Sequence, residues 1–323
     1  MTTRPVAPDE APQARAAAPR GPAAWARAGT PAAWAATTLA VAALAGAVYW
    51  TMHSRDAFPR RGAAFPSQPQ LAAAIAAAQE RLKGNPQDII ALTELGTLHF
   101  EKGRELYPEA INELEEARSL GSLDPRIFYC LGVMYQELGL YPFALEEYRR
   151  FLRNNPEDKE IRMLSAKLLF KQGDFAEAVN EYERLKFQDP SDRLVEENLG
   201  LSLWSAKQLD RAEGSFRQLK TMGAEPGKRA EFYLGQISMD RGDFKGALEH
   251  LLLSLPGAGA GIDIGLPLEK VYAALGLAYQ KLERPQEAKD AWAKVLGLVP
   301  GDAKAQASIK ELNRRYPAKR VKK

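Results

Sequence analysis

A pair of residues built around a small side chain returns along this chain at a nearly fixed interval, and that period limits the fold more than any other feature. Leu95-Gly96, Leu131-Gly132, Ser165-Ala166, Leu199-Gly200, Leu234-Gly235 and Leu275-Gly276 are spaced 36, 34, 34, 35 and 41 residues apart. About twelve residues beyond each pair stands an alanine: Ala144, Ala178, Ala212, Ala247 and Ala288, with Ala110 slightly displaced. Four residues later comes an aromatic or a leucine, at Leu114, Tyr148, Tyr182, Phe216, Leu251 and Trp292. Proline closes several units, at Pro86, Pro125, Pro156, Pro190 and Pro300. A repeat of this length describes a stacked array of similar supersecondary units in place of one globular core.

One unit, Pro125 to Asp158, shows the physics. Phe128, Leu131, Gly132 and Tyr135 recur at three- and four-residue spacing and so share one helical face. Gly139 is placed to stop that helix, since glycine accepts the left-handed conformation of a helix end. Ala144, Tyr148 and Leu152 mark the inner stripe of a second helix, which Asn155-Pro156 ends. Gly132 and Ala144 are small where the two helices approach, and Tyr148 with its equivalents is expected between one hairpin and the next. Each hairpin then leaves an apolar face that only its neighbour covers.

This pattern resembles the tetratricopeptide repeat family over roughly residues 70 to 300. The resemblance implies an all-α, right-handed solenoid of about six helix hairpins, at 89–124, 125–158, 159–192, 193–227, 228–254 and 269–302. Leu71–Pro86 reads as the second helix of an earlier, incomplete unit. A capping helix is expected at 303–316, where Ile309, Leu312 and Tyr316 share one face and the other is rich in Lys and Arg. The family's first signature position departs from tryptophan throughout, carrying Leu92, Phe128, Arg162, Glu196, Glu231 and Tyr272.

Formal net charge is +3, unevenly placed. Residues 1–63 carry +4 and residues 318–323 a further +4, which leaves the repeat body near −5. An acidic body lacks the footprint of a nucleic-acid binder. Residues 1–30, rich in Ala, Pro and Arg, bury too little surface to offset ordering and read as a disordered arm. Pro31 to Met52 then runs 22 residues without a charge, bracketed by Trp34 and Tyr49-Trp50. Length and flanking aromatics fit a single membrane-spanning signal-anchor. Nine of the 22 are alanine, which is only weakly apolar, and Ala45-Gly46-Ala47 has the form of a signal-peptide cleavage site, so a cleaved leader or a buried soluble helix stands as an alternative. Residues 53–69 read as a linker and 318–323 as a basic tail. Three arginines on each side of the span give no orientation. The expectation is a solenoid outside the cytoplasm, on the periplasmic side of a bacterial inner membrane, because a short arm before a signal-anchor usually stays inside.

No chemistry assembles. His53, His99 and His250 lack a second ligand at metal spacing, so no metal or other cofactor is expected. His99 reads as a packing residue, and Glu113, Glu115 and Glu116 as solvated surface. Gly257-Ala258-Gly259-Ala260-Gly261 follows a helix and has no lysine where a phosphate loop needs one, so it reads as a flexible linker, with a mobile lid over the groove as the alternative. Cys130 reads as a small buried hydrophobe. The chain is therefore not expected to be an enzyme.

In the family that the repeats resemble, the first helix of each unit lines a concave groove. Carried onto this chain, the groove positions are Thr93, Thr97 and Phe100; Arg126, Tyr129, Val133 and Gln136; and Met163, Lys167 and Phe170. They continue with Glu197, Leu201 and Trp204; Arg229, Phe232, Gln236 and Met239; and Lys270, Leu277 and Gln280. The partner-binding candidates are Tyr129, Val133, Met163, Lys167, Phe170, Leu201, Trp204, Arg229, Phe232, Gln236 and Met239. Tyr129 and Val133 stand where the family's carboxylate clamp needs polar residues, so an apolar or amphipathic segment is the expected ligand. Two classes of function follow. One is a membrane-anchored scaffold that binds a protein or peptide partner in envelope complex assembly, secretion or cytochrome maturation. The other is a homo-oligomeric organiser of a membrane assembly.

Overall fold

Aspartate sets where the hairpins begin. In the computed structural model, which describes residues 68–256 and 265–317, Asp88, Asp158, Asp192 and Asp302 each cap a helix by accepting a backbone N–H three residues on, at 3.0, 2.9, 3.2 and 2.7 Å. Each stands two residues after the proline that closes the preceding unit. Proline stops one helix and the aspartate carboxylate satisfies the orphan donors of the next. Asp124 caps the second unit by accepting the Arg126 N–H, two residues on, at 2.9 Å, with Pro125 as the first helical residue.

The helices are α1 (Gln68–Gly84), α2 (Ile89–Lys102), α3 (Tyr107–Ser119), α4 (Pro125–Glu137), α5 (Tyr141–Asn154), α6 (Lys159–Gln172), α7 (Phe175–Gln188), α8 (Arg193–Ser205), α9 (Leu209–Lys220), α10 (Ala224–Asp240), α11 (Phe244–Ser254), α12 (Leu268–Lys281), α13 (Pro285–Leu298) and α14 (Ala303–Arg315), with a short 3-10 turn, Arg104–Leu106, ahead of α3. From α2 on they pair as α2–α3 through α12–α13, and each pair packs on the next. Over the described residues the chain is the all-α stack of helix hairpins that the repeat implied.

Seven residues past the small-residue position, the hairpin turn needs a left-handed residue. Gly139, Gly173 and Gly242 supply it at φ +78°, +85° and +78°. Lys207 and Glu283 hold the same place at φ +62° and +55°, which a side chain adopts only at a cost.

The repeated glycine has a different cause from the turn. A Cβ on Gly132 would sit 2.5 Å from the Tyr148 ring, on Gly200 2.6 Å from Phe216, and on Gly276 2.7 Å from Trp292. The large residue sixteen positions on therefore lies on the glycine of its own hairpin. This corrects the expectation that Tyr148 and its equivalents sit between neighbouring hairpins. Phe216 does reach across as well, stacking on Tyr233 of α10 at 4.7 Å.

The fifth hairpin opens at Ala224, ahead of the expected 228, with Gly223 at φ +129° before it. Pro226 sits in the first turn of α10, where a missing N–H leaves no bond unmade, so the proline begins this helix and does not end the previous unit. At the N-terminal end, Leu71, Ile75 and Ala78 of α1 pack on Leu95. At the other end, Ala305 and Leu312 of α14 cover Ala288, Trp292 and Val295, with Ile309 and Tyr316 alongside.

No helix among the described residues is long and apolar enough to cross a membrane. The arm 1–30, the span 31–52, nearly all of the linker 53–69, the tail 318–323 and residues 257–264 of the glycine-rich insertion lie outside the described residues.

Candidate functional site

The groove candidates divide by burial. Tyr129, Val133 and Phe232 are only 1%, 5% and 8% exposed. Tyr129 meets Phe100 of the preceding first helix edge-on at 6.3 Å, and Phe232 meets Tyr233 at 5.6 Å. Tyr129 and Phe100 thus join successive first helices, and Thr93 and Thr97 are buried too, each hydroxyl donating to the backbone of its own helix. Tyr129 stands three residues before the glycine of its unit, and there the neighbouring first helix covers it. The expectation that Tyr129 and Phe232 are open to solvent is corrected accordingly.

Met163, Phe170, Leu201, Trp204, Gln236 and Met239 remain half-exposed, and Lys167 is exposed. Phe170, Trp204 and Met239 each stand four residues past the small-residue position of three successive hairpins, so the stack aligns them as a row. Phe170 leans edge-on against Phe175 at 5.3 Å, beside the hairpin turn. The Trp204 indole N–H donates to Asp240 Oδ2 at 2.7 Å. With that donor used, what Trp204 has left to offer a ligand is apolar.

Arg229 is already engaged. Its Nε lies 3.0 Å from both carboxylate oxygens of Glu197, and Nη1 meets Glu225. The Tyr233 hydroxyl donates to Glu197 at 3.0 Å, so Glu197 is buried with its charge answered. Burial works to lower the Arg229 pKa, and the two glutamates outweigh it and hold the guanidinium charged. Arg229 fixes α10 against α8 and is not a free cation for a partner.

A second set of charges was not foreseen. At the first signature position, Arg162, Glu196 and Glu231 are all buried. Arg162 pairs with Glu181 and donates to the Pro156 carbonyl. Lys186 lies 2.7 Å from Glu196. Glu231 meets Lys220 of the previous hairpin and His250 Nδ1, the latter at 2.7 Å. Burial alone would raise the Glu231 carboxyl, but the bonds from Lys220 and His250 prevail and hold it below the usual 4.5. His99 is likewise more than packing, with Nδ1 2.8 Å from Glu113 Oε2. Glu113 is thus not a solvated charge, and burial pushes its carboxyl up despite the histidine. Glu115 pairs with Arg118 and accepts from the Tyr135 hydroxyl. The one cysteine, Cys130, is buried, and desolvation pushes its thiol pKa up, which makes it inert.

The second-helix side also carries relief. Phe187, at the end of α7, is 90% exposed. It borders an open cleft of about 920 Å³ shared with Pro156, Lys159, Arg162 and Arg184. On its other side lies one of about 550 Å³ with Pro190, Leu199, Leu203 and Gly214. Sequence periodicity gave no signal for it, because Phe187 lies off the inner stripe of its helix. Among the described residues, no group of His, Cys, Asp and Glu is placed to hold a metal ion.

Comparison with known proteins agrees with this geometry. The tetratricopeptide repeat family matches at residues 93–159, 135–193, 163–225 and 197–261. A further tetratricopeptide repeat matches at 269–301. Together these take in more than half of the chain. No curated protein matches the sequence. Among solved structures, the C-terminal part of a TPR repeat-containing protein from Cytophaga hutchinsonii is 16% identical with a TM-score of 0.56, covering 74% of this chain and 95% of that one. A structure of Naa15/Naa10 bound to HypK-THB is 20% identical with a TM-score of 0.52; the match covers 75% of this chain and only 37% of that chain's length. At such identities the likeness is one of architecture.

Proposed function

The chain belongs to the tetratricopeptide repeat family, a family of interaction scaffolds, and on that premise we propose that it captures an apolar or amphipathic segment of a protein partner along its first helices. The observation that carries this reading is the half-exposed row Phe170, Trp204 and Met239, with Met163 and Leu201 beside it and Lys167 on the flank. Aromatic and methionine side chains are enriched in binding surfaces, and methionine adapts to irregular apolar ligands. Trp204, central in the row, is the anchor.

In this proposal residues 31–52 tether the scaffold to a bacterial inner membrane with the stack on the periplasmic side, where it serves envelope complex assembly, secretion or cytochrome maturation. Tethering raises the effective concentration of a membrane-resident partner without any added contact. The full chain is then expected in the membrane fraction after carbonate washing, and a C-terminal reporter is expected to work only outside the cytoplasm. Release by carbonate removes the anchor from the proposal, and a reporter active only in the cytoplasm reverses its orientation.

The groove is tested by crosslinking in the native cell followed by capture with Phe170→Ala/Trp204→Ala. A buried aromatic anchor is worth roughly 2 kcal/mol or more of binding, so the double variant is expected to lose the partner while its helical circular dichroism persists. Equal capture by variant and parent defeats the groove reading. A homo-oligomeric organiser is the alternative, and capture that returns only copies of this chain would favour it.

A further inference from the structure

We propose that α14 is a second membrane contact of this chain, its outer cations resting on the headgroups of an anionic bilayer. The choice of a bilayer rests on the reading of residues 31–52 as a span, and is independent of what the row around Trp204 holds.

Along most of the stack, arginines meet carboxylates: Arg118 with Glu147, Arg149 with Glu177, Arg229 with Glu197, Arg241 with Glu213. The C-terminal helix departs from that rule. Lys304, Lys310 and Arg314 are exposed, and among the described residues none has an ion-pair or hydrogen-bond partner. Lys310 and Arg314, four residues apart, share one line of the helix, opposite the Ala305 and Leu312 face that covers α13. Lys304 and Arg315 lie to one side of that line, Arg315 over the Tyr316 ring, and Glu311, the acid of this helix, stands between the two groups. With Glu311 subtracted α14 carries +3, and Lys319, Arg320, Lys322 and Lys323 bring residues 303–323 to +7. Given +4 in residues 1–63, the overall +3 leaves −8 for residues 64–302.

That division of charge selects the occupant. A nucleic acid lying along the stack meets an acidic body that repels it, whereas a surface touched only at α14 meets the basic part alone. Leu298 and Val299, at the end of α13 just ahead of the helix, are 49% and 40% exposed. They give the contact an apolar edge, which the headgroup boundary of a bilayer accepts and a polyanion does not. An acidic protein segment would seek relief, and the clefts beside Phe187 are lined by α6 to α9 and the loops between them, with nothing from α14. Solubility asks a capping helix only to be polar; it does not ask for an excess of one sign or for exposed Leu and Val beside it. Each cation near an anionic surface strengthens binding about fivefold. A span already confines the chain to the bilayer, so a contact of that strength is enough to form.

The test uses the full chain with Ala307→Cys, an exposed position on the outer side of α14, labelled with a fluorophore; the native Cys130 is buried and stays unlabelled. The protein is reconstituted into vesicles of phosphatidylcholine, alone or with phosphatidylglycerol added, each carrying a headgroup quencher. The contact equilibrium read from quenching is expected to shift at least about tenfold toward the bilayer when phosphatidylglycerol is present, and to return as salt screens the charges. Lys310→Glu/Arg314→Glu is expected to abolish that dependence on phosphatidylglycerol. Lys310→Arg/Arg314→Lys, which keeps the charge, is expected to match the parent. Phe170→Ala/Trp204→Ala is expected to quench as the parent does, so a failed groove and a failed basic face give different results. Should carbonate release the chain, the same salt-sensitive quenching is expected from phosphatidylglycerol vesicles added to it in solution, so the anchor and α14 fail separately. Equal quenching in the two kinds of vesicle overturns the proposal, as does quenching that survives Lys310→Glu/Arg314→Glu. Complete loss of the signal on deleting residues 318–323 alone overturns it too, since the contact then belongs to the tail. So does a label that answers nucleic acid or polyglutamate but not phosphatidylglycerol vesicles.

Discussion

Glu147 shows what a single residue's position in the stack decides. Read along its helix it belongs with Glu146 on an exposed face, yet it is 3% exposed, with Arg118 of the preceding hairpin 2.8 Å away and Arg150 2.6 Å away. Glu147→Ala leaves Arg118 to Glu115 and water, so the expected loss is about 1–2 kcal/mol. Glu146→Ala is expected to change thermal stability by well under half of that, and equal melting of the two variants would return Glu147 to the surface. Glu231 gives a prediction with a sign in pH. Its carboxyl is held below 4.5, so its contribution to stability is complete above that value and is lost as pH falls through the lowered one. Parent protein is expected to lose stability in that acid window faster than Glu231→Gln does; parallel acid melts would show that Lys220 and His250 do not hold the carboxylate. These charges were illegible in the sequence for a physical reason. Periodicity marks positions 162, 196 and 231 as inward, but their partners lie ten to nineteen residues away on another helix, outside any local pattern.

At the scale of the hairpin the sequence is far more legible, because the interactions that define it recur. A small residue and a ring sixteen positions on are one contact repeated, and the turn glycine another. Gly200→Leu places a side chain where the Phe216 ring already lies 2.6 Å from the first added carbon. Because Phe216 also stacks on Tyr233, it cannot retreat, and the expected cost is at the upper end of about 1–3 kcal/mol for overpacking, or beyond. A parent-like melting curve would place the helix contact elsewhere. The turns make the opposite prediction. Lys207 stands where three other hairpins use glycine, at φ +62°. A left-handed non-glycine residue costs roughly 1–2 kcal/mol, and glycine returns part of the gain as chain entropy, about 0.5–1 kcal/mol. Lys207→Gly is therefore expected to raise stability by about 1 kcal/mol or less, and a lowered melting temperature would mean that the lysine side chain holds something there. What the hairpin pattern left unread is which groove positions a neighbouring first helix covers: Tyr129 and Phe170 both belong to groove positions of their units, and only packing between hairpins separates them.

Over the whole stack, stability is a sum of hairpins and the joints between them, so damage at one end is expected to stay local. α14 makes this testable. Its Ala305 and Leu312 cover Ala288, Trp292 and Val295, and Trp292 in turn lies on Gly276 of α12. Deleting residues 303–323 uncovers that cluster, so the truncated chain is expected to be less soluble as well as less stable. The loss need not spread evenly. α13 loses its only cover on that side, α12 loses it through α13, and the hairpins from α2 to α7 keep every neighbour they had. Amide hydrogen exchange separates the cases. In the truncated chain, protection is expected to fall most in α12 and α13, less in α10 and α11, and not measurably in α4 to α7. Protection that falls by the same factor along the whole array would mean that the hairpins melt as one cooperative body, and the capping helix would then stabilise all of them together, not only the pair it touches.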